Sequence, residues 1–276
     1  MNKRLDHILW RMMLIFFAAS IHSCANEQEE PEYATVNFIA TLSEDVHSRT
    51  LGSGNGIDSL WVGIFNKDTV EMARQRFAVS GSSIDIALTL PKNQTFHFVF
   101  WAYNSQSSAY NISSLKQIKM RKCLFTTWND VEATDVFCAN RTDITLQEGS
   151  MTVPGVELKR PLAQINVGTT GTPMPASFKV ISAPDTFYPF SNSVSGTTGY
   201  SWNFSETTAE TFTADGTKYN YLAMGYLFAP VATMKITAEL ELTDNDMNSQ
   251  TIQFPQVEMA ANRRSNIVGT FTQGNE

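Results

Sequence analysis

Apolar residues recur at every second position through much of this chain, the period of a strand with one buried face. Val36, Phe38, Ala40 and Leu42 follow it; Leu60, Val62 and Ile64 follow it after the turn-rich LGSGNG; Ile84, Ile86, Leu88 and Leu90 give the cleanest run. Residues 95–103 are apolar on both phases, with Phe96, Phe98 and Phe100 opposing Val99 and Trp101, which predicts a central strand covered on both sides. Further along, Phe178 and Val180 open a strand that ends near Pro184, and Ile236, Ala238, Leu240 and Leu242 alternate up to the turn TDNDMN. Ile252 and Phe254 come next, then Ile267, Gly269 and Phe271. Helical signal is thin: residues 113–119 suit one or two turns with Leu115 and Ile118 facing inward. The pattern predicts an all-β protein.

The stretch VPGVELKRPLAQINVG, residues 153–168, divides the chain. Val156 and Leu158 alternate on one phase and Ala163, Ile165 and Val167 on the other, so the pattern slips at Arg160, Pro161 and Leu162. A slip beside proline predicts a bulged or edge strand, because proline cannot donate to the ladder. With a Pro-Gly turn placed at its start, the chain reads as two β-rich units in tandem, 33–154 and 155–276. Residues 191–216, rich in Ser, Thr and Gly, are either a long surface loop or a strand with a wide hairpin.

Ahead of the strands, residues 1–23 have the layout of an export signal, with Lys3, Arg4 and Arg11 as a basic start before a short apolar run at 12–19. That run is too short to span a bilayer as a stable anchor. Ile21 and Ser23 before Cys24 resemble a bacterial lipobox, although His22 departs from the usual pattern. The reading makes Cys24 the lipidated first residue of the mature chain, with palmitate among the acyl groups and residues 24–32 an acidic tether that buries no core. The formal charge of −7 argues against nucleic-acid binding, which needs a basic footprint. Charged residues make up only 17% of the chain and Ser, Thr and Asn fill the difference, a composition suited to an extracellular β protein. Beyond Cys24 stand Cys123 and Cys138, which in an oxidising compartment either pair or remain buried thiols; pairing is the expectation.

Catalytic patterns are missing from the sequence. His7 and His22 lie in the export segment, and His47 and His97 stand apart without metal-ligand spacing. There is no GxSxG elbow, and the glycines at 52, 54 and 56 lack the Lys-Ser/Thr of a phosphate loop. Asp130, Glu132 and Asp135 in WNDVEATD miss the calcium-loop template, so they read as a solvated loop rather than a metal site, and neither a metal nor a cofactor is expected. Asn93, Asn111, Asn140 and Asn203 begin formal N-glycosylation sequons that mean little in a bacterial lipoprotein. Among aromatics, Trp61 and Trp101 sit on strands and read as core, whereas Tyr200 and Trp202 in the Ser/Thr-rich stretch are the candidates for ligand contact.

Four segments carry a family resemblance: SRTLGSGNGIDSLWVGIFN from Ser48, FVFWAYN from Phe98, VELKRPLAQINV from Val156 and ANRRSNIVGTF from Ala261. Together they resemble the fimbrillin-like surface lipoproteins of the Bacteroidales. The resemblance implies tandem sandwiches of transthyretin-like or Greek-key type and no enzymatic reaction. It implies attachment to the outer face of the outer membrane through the lipid, in support of cell adhesion or fimbria assembly. It also implies a cut by a trypsin-like protease after Arg49, opening a groove for the donor strand of another fimbrial subunit. Asp58-Ser59-Leu60 and Asp68-Thr69-Val70 resemble Bacteroidales O-glycosylation sites. Only residues 272–276 follow the Ile267–Phe271 alternation, too few and too polar for a donor strand, so the expectation is an anchor, tip or accessory subunit. The alternative reading is a glycan-binding outer-membrane lipoprotein of a nutrient uptake system.

Overall fold

The computed structural model describes residues 32–43, 56–243 and 249–271. In chain order the first half supplies β1 (Tyr33–Leu42), β2 (Ser59–Asn66), β3 (Glu71–Ala78), β4 (Ser83–Pro91), β5 (Thr95–Tyr103), β6 (Tyr110–Ser114), β7 (Gln117–Met120), β8 (Leu124–Phe125), the short helix α1 (Trp128–Glu132), β9 (Val136–Thr145) and β10 (Ser150–Leu158). The second half supplies β11 (Leu162–Thr169), β12 (Ala176–Ala183), β13 (Thr186–Tyr188), β14 (Ser193–Ser195), β15 (Thr198–Phe204), β16 (Thr211–Ala214), β17 (Thr217–Phe228), β18 (Met234–Thr243), β19 (Ser249–Met259) and β20 (Arg264–Gly269). The protein is all-β. Its sheets run β10-β1-β4, β3-β2-β5-β9, β14-β13-β7-β6, β16-β17-β11-β20 and β19-β18-β12-β15-β8.

The alternating runs bury one face each. In β4, Ile84, Ile86 and Leu88 are buried while their neighbours are exposed, and in β1 Ala34, Val36, Phe38 and Ala40 point inward. These residues meet Leu60, Val62, Phe96, Phe98 and Phe100 in one hydrophobic cluster. Phe38 sits edge-on to Phe98 at 4.9 Å and to Phe100 at 5.2 Å. Each fully buried side chain of this size contributes about 1.5–3 kcal/mol by leaving water.

The other face of the same sheet belongs to a second cluster. Phe65, Val99, Trp101, Val136 and Cys138 turn away from β1 and pack with Ile165, Val167, Phe178, Trp202, Met224 and Leu240. The sheet β3-β2-β5-β9 is therefore a middle layer serving two cores, and β5 is apolar on both phases because it is covered on both sides.

The phase slip at Arg160–Leu162 is where the chain crosses between cores. Val153, Val156 and Leu158 of β10 lie in the first cluster; Leu162, Ala163, Ile165 and Val167 of β11 lie in the second. The Pro-Gly pair does not start the strand, however, since β10 already pairs with β1 from Ser150. Pro154 and Gly155 instead form a bulge there: Phe38 faces Val153 while Ala40 faces Val156, and Gly155 has φ 62°. Proline cannot donate and glycine takes the left-handed conformation at no Cβ cost, so the extra residues fall where the ladder tolerates them.

Two other expectations change and one open choice is decided. Residues 113–119 form no helix: β6 and β7 make a hairpin, with Leu115 and Ile118 fully buried. Asn111 Oδ1 accepts from the Ser113 N–H and Ser114 Oγ from the Lys116 N–H, side-chain bonds that favour a turn over a helix. Of the two readings of residues 191–216 the structure takes the strand, and the segment carries β14, β15 and β16. Trp61 is only partly buried, its Nε1 donating to Tyr103 Oη at 2.9 Å.

Candidate functional site

Tyr200 and Trp202, the aromatic pair singled out for ligand contact, are inaccessible. They lie on the inward phase of β15 with 1% and 0% exposure, while Ser201 and Asn203 take the outward phase. On one side β15 pairs with β12, Trp202 opposite Phe178, and on the other with β8, Trp202 opposite Phe125. Tyr200 Oη donates to the Pro184 carbonyl at 3.0 Å, and burial pushes its phenol well above its ordinary pKa. Behind Trp202 stands Gly225, where a Cβ would come within 2.3 Å of the indole. This corrects the sequence reading: both rings are core.

The acidic run is not a plain solvated loop. Asp130 sits in α1 with Lys122 Nζ at 2.9 Å, and Thr127 caps that helix by accepting from the Asp130 N–H. Asp135 turns inward. Its carboxylate takes two parallel bonds from Arg160, Nε to Oδ1 and Nη2 to Oδ2, each 2.7 Å, with both side chains 3% exposed. Arg160 also lies 4.6 Å from the centre of the Phe137 ring. Burial raises the Asp135 carboxyl, and Arg160 pulls it partly back. Nearby, Arg264 Nε donates to Gln164 Oε1, Gln164 Nε2 to Asn166 Oδ1, and Asn166 Nδ2 to Asn266 Oδ1. This polar row ties β11 to β20. Among the described residues no three carboxylate, histidine or cysteine side chains gather as metal ligands.

A cavity of about 300 Å³ opens at the crossing, with Ala139, Pro161 and Phe187 among its apolar lining and Asn140, Arg141 and Asn262 among its polar lining. The Arg141 guanidinium is held by the carbonyls of Asn140 and Gly155, and Asn140 Nδ2 donates to the Pro189 carbonyl. These groups are spent on fixing the junction.

Cys123 and Cys138 are free thiols, against the expected pairing. Cys138 lies buried on β9 with Sγ toward the Ala139 carbonyl, and burial pushes its thiol far up. Cys123 Sγ faces the Arg121 carbonyl and Thr198 Oγ1, so the two sulfurs engage different neighbours. His97 is structural: Nδ1 accepts from the Asp143 N–H at 2.9 Å, which leaves Nε2 to donate to the Lys67 carbonyl. Ser59, of the first Asp-Ser-Leu motif, is 1% exposed and its hydroxyl accepts from Arg76, which closes it to a glycan. Thr69 of the second motif stands in the turn between β2 and β3 with φ 57°. Cys24, Arg49 and His47 lie outside the described residues.

Residues 28–275 match a family of unknown function, DUF6562. The chain belongs to that family. No curated protein matches it. Among solved structures, this DUF6562 chain is similar to a candidate polysaccharide-binding protein from Bacteroides thetaiotaomicron, at 10% identity over 87% of this chain and 92% of the other, with a TM-score of 0.50. It is also similar to a candidate adhesin from Bacteroides ovatus, at 10% identity over 92% of both chains, with a TM-score of 0.50. The fimbrial anchor protein Mfa2 from Porphyromonas gingivalis matches at 12% identity over 80% of this chain and 82% of that one, with a TM-score of 0.46. At these identities what is shared with the two Bacteroides proteins is the fold.

Proposed function

We propose that this DUF6562 protein is a fimbrillin-like surface protein that serves cell adhesion or the assembly of a fimbria, as an anchor, tip or accessory subunit. The observation that carries the reading is the architecture, shared with a candidate adhesin over 92% of both chains. The buried aromatics and the junction ion pair support it further, because the chain's chemically notable side chains are used to hold layers together. In this reading Cys24 carries lipid and fixes the protein to the outer membrane, and several buried acyl chains anchor durably at about 0.8 kcal/mol per methylene.

Arg49, on the connection between β1 and β2, is the proposed maturation site. A cut there would leave β1 held without a covalent link to β2, between β4 and β10 in the middle of its sheet. The positions that β1 fills with Ala34, Val36, Phe38 and Ala40 are those an alternating strand from another subunit would have to fill. A second reading, glycan binding in nutrient uptake, is favoured by the likeness to the candidate polysaccharide-binding protein.

The test is deletion of the gene in its own host, complemented with the wild-type chain or with Cys24→Ala. Loss of adherence or of fimbriation on deletion, restored by the wild type and not by the Cys24→Ala form released from membranes, is the expected result. Unchanged adherence and fimbriation in the deletion strain would overturn the proposal.

A further inference from the structure

Residues 126–129 approach the end of β15 across a surface cleft of about 350 Å³. Two contacts fix its walls. Trp128 lays its indole on Phe204, ring centres 4.1 Å apart and 7° from parallel, and Trp128 Nε1 donates to the Glu206 carbonyl at 3.2 Å. Thr127 is committed to capping α1, so the ring and its flanking residues are held in place before any ligand arrives. Trp128 itself is only partly buried and borders the cleft.

Around that ring the exposed side chains of Thr126, Asn129, Ser205 and Glu206 line the same opening. Each is a hydroxyl, amide or carboxylate whose side chain makes no hydrogen bond to another described residue, so each is available to a ligand in the opening. An apolar ring with an uncommitted polar rim matches a molecule that is apolar on one face and hydroxylated at its edge. The volume falls at the small end of ligand sites. The lining contains one carboxylate and no cation, which disfavours uronates and other acidic sugars and favours hydroxyl donors.

We infer that the cleft beside Trp128 is a subsite for a neutral sugar ring, which packs its C–H face at the indole while Asn129 and Glu206 take its hydroxyls. The inference rests on the surface-adhesion reading and names the chemistry that such a surface would recognise. It replaces Tyr200 and Trp202, which are buried, with an aromatic that a ligand reaches.

The experiment titrates the full mature chain with maltohexaose, laminarihexaose, mannohexaose and N-acetylchitohexaose, with hexagalacturonate as the acidic comparison, reading heat and indole emission. At least one neutral probe should bind and the acidic one should not. Trp128→Ala should abolish binding, and Asn129→Ala with Glu206→Ala should weaken it by roughly tenfold or more, as expected for lost hydrogen bonds to a charged and an amide group. The last two positions are exposed, so the double variant keeps its fold even where Trp128→Ala does not. Absence of binding by every neutral probe, or unchanged affinity in the Asn129→Ala/Glu206→Ala variant, overturns the subsite. Adherence of cells carrying that variant separates the two claims: normal adherence with unchanged sugar affinity removes the subsite and leaves the adhesive reading standing.

Discussion

Replacing Arg160 with methionine should be among the most damaging single changes in this chain. Arg160 stands between β10 and β11 where the backbone passes from one core to the other, and its partner Asp135 immediately precedes β9 of the shared middle sheet. Methionine keeps the aliphatic volume against Phe137 but leaves the Asp135 carboxylate buried without its cation. Removing one partner of a buried pair costs about 3–5 kcal/mol, which for a chain of this size is roughly 6–20 °C in melting temperature. The pH dependence carries a sign. Burial already raises the Asp135 carboxyl, so the folded state binds its proton more readily than the unfolded state does, and this group's contribution to stability falls as pH rises through the folded value. In Arg160→Met the raising cause stays and the largest lowering one is gone, leaving only the Val136 N–H and the more weakly acting Arg264, so that fall extends to higher pH and acidification from neutrality should recover part of the loss. Urea denaturation between pH 7 and pH 4 reads both effects. The double variant Asp135→Leu/Arg160→Met should be more stable than Arg160→Met alone, because no uncompensated charge remains. An Arg160→Met protein within about 1 kcal/mol of wild type, or a double variant whose loss equals that of the two singles added together, would show that the pair is not coupled as its geometry requires.

Gly225→Ala should cost about 1–3 kcal/mol in chemical denaturation, since the added methyl meets the buried Trp202 ring at 2.3 Å; an unchanged midpoint would mean the indole is free to move. Alkylation under native conditions should label Cys123 before Cys138, whose thiol is buried and pushed far up, and both should label in unreduced, denatured protein; labelling of neither would show a disulfide. Burial pushes the Asp58 carboxyl up, but the hydroxyl and backbone N–H of Ser105, with the Ser59 hydroxyl and the charge of Arg76, together outweigh it and leave the group below its ordinary value. Its contribution is therefore present above about pH 4 and lost as pH falls through the folded value, so Asp58→Asn should flatten the acid limb of the stability profile; an identical limb would refute this.

How far the sequence shows the fold depends on whether a strand buries one face or two. β1, β4 and β18 each cover a core on one side, so their side chains alternate and their limits could be read closely. β17 is apolar from Tyr221 to Phe228 without alternation and β3 has an exposed, polar edge pattern, so neither carries the period that marks a strand. Leu115 and Ile118 stand three apart, which fits a helical face as well as a turn followed by a strand; side-chain bonds from Asn111 and Ser114 settled it in favour of the hairpin. Tyr200, Trp202 and Phe204 do alternate, and that period was the better guide than the Ser/Thr-rich surroundings that suggested a surface loop. Asp135 was unreadable for another reason. Its cation lies 25 residues away across a crossing between cores, and nothing local in WNDVEATD singles out Asp135 as the carboxylate that is fully buried.

The middle sheet also determines which functions can be altered separately. β1 and the positions it fills belong to the first cluster, so any exchange of that strand acts on Phe98, Phe100 and their neighbours. Trp128, Phe204 and Tyr221 belong to the second, where the proposed sugar cleft lies. Both clusters meet on β5, whose alternate residues Phe100 and Trp101 face opposite cores. A packed sheet of this kind transmits a volume change across its thickness, because interiors near crystal density have little room to absorb it. Substitutions on β5 or at Arg160 therefore confound strand exchange with ligand binding, whereas rim positions such as Asn129 and Glu206 touch neither core. Variants at the rim and in β1 are consequently the ones whose phenotypes can assign adhesion, assembly and sugar recognition to separate surfaces of this protein.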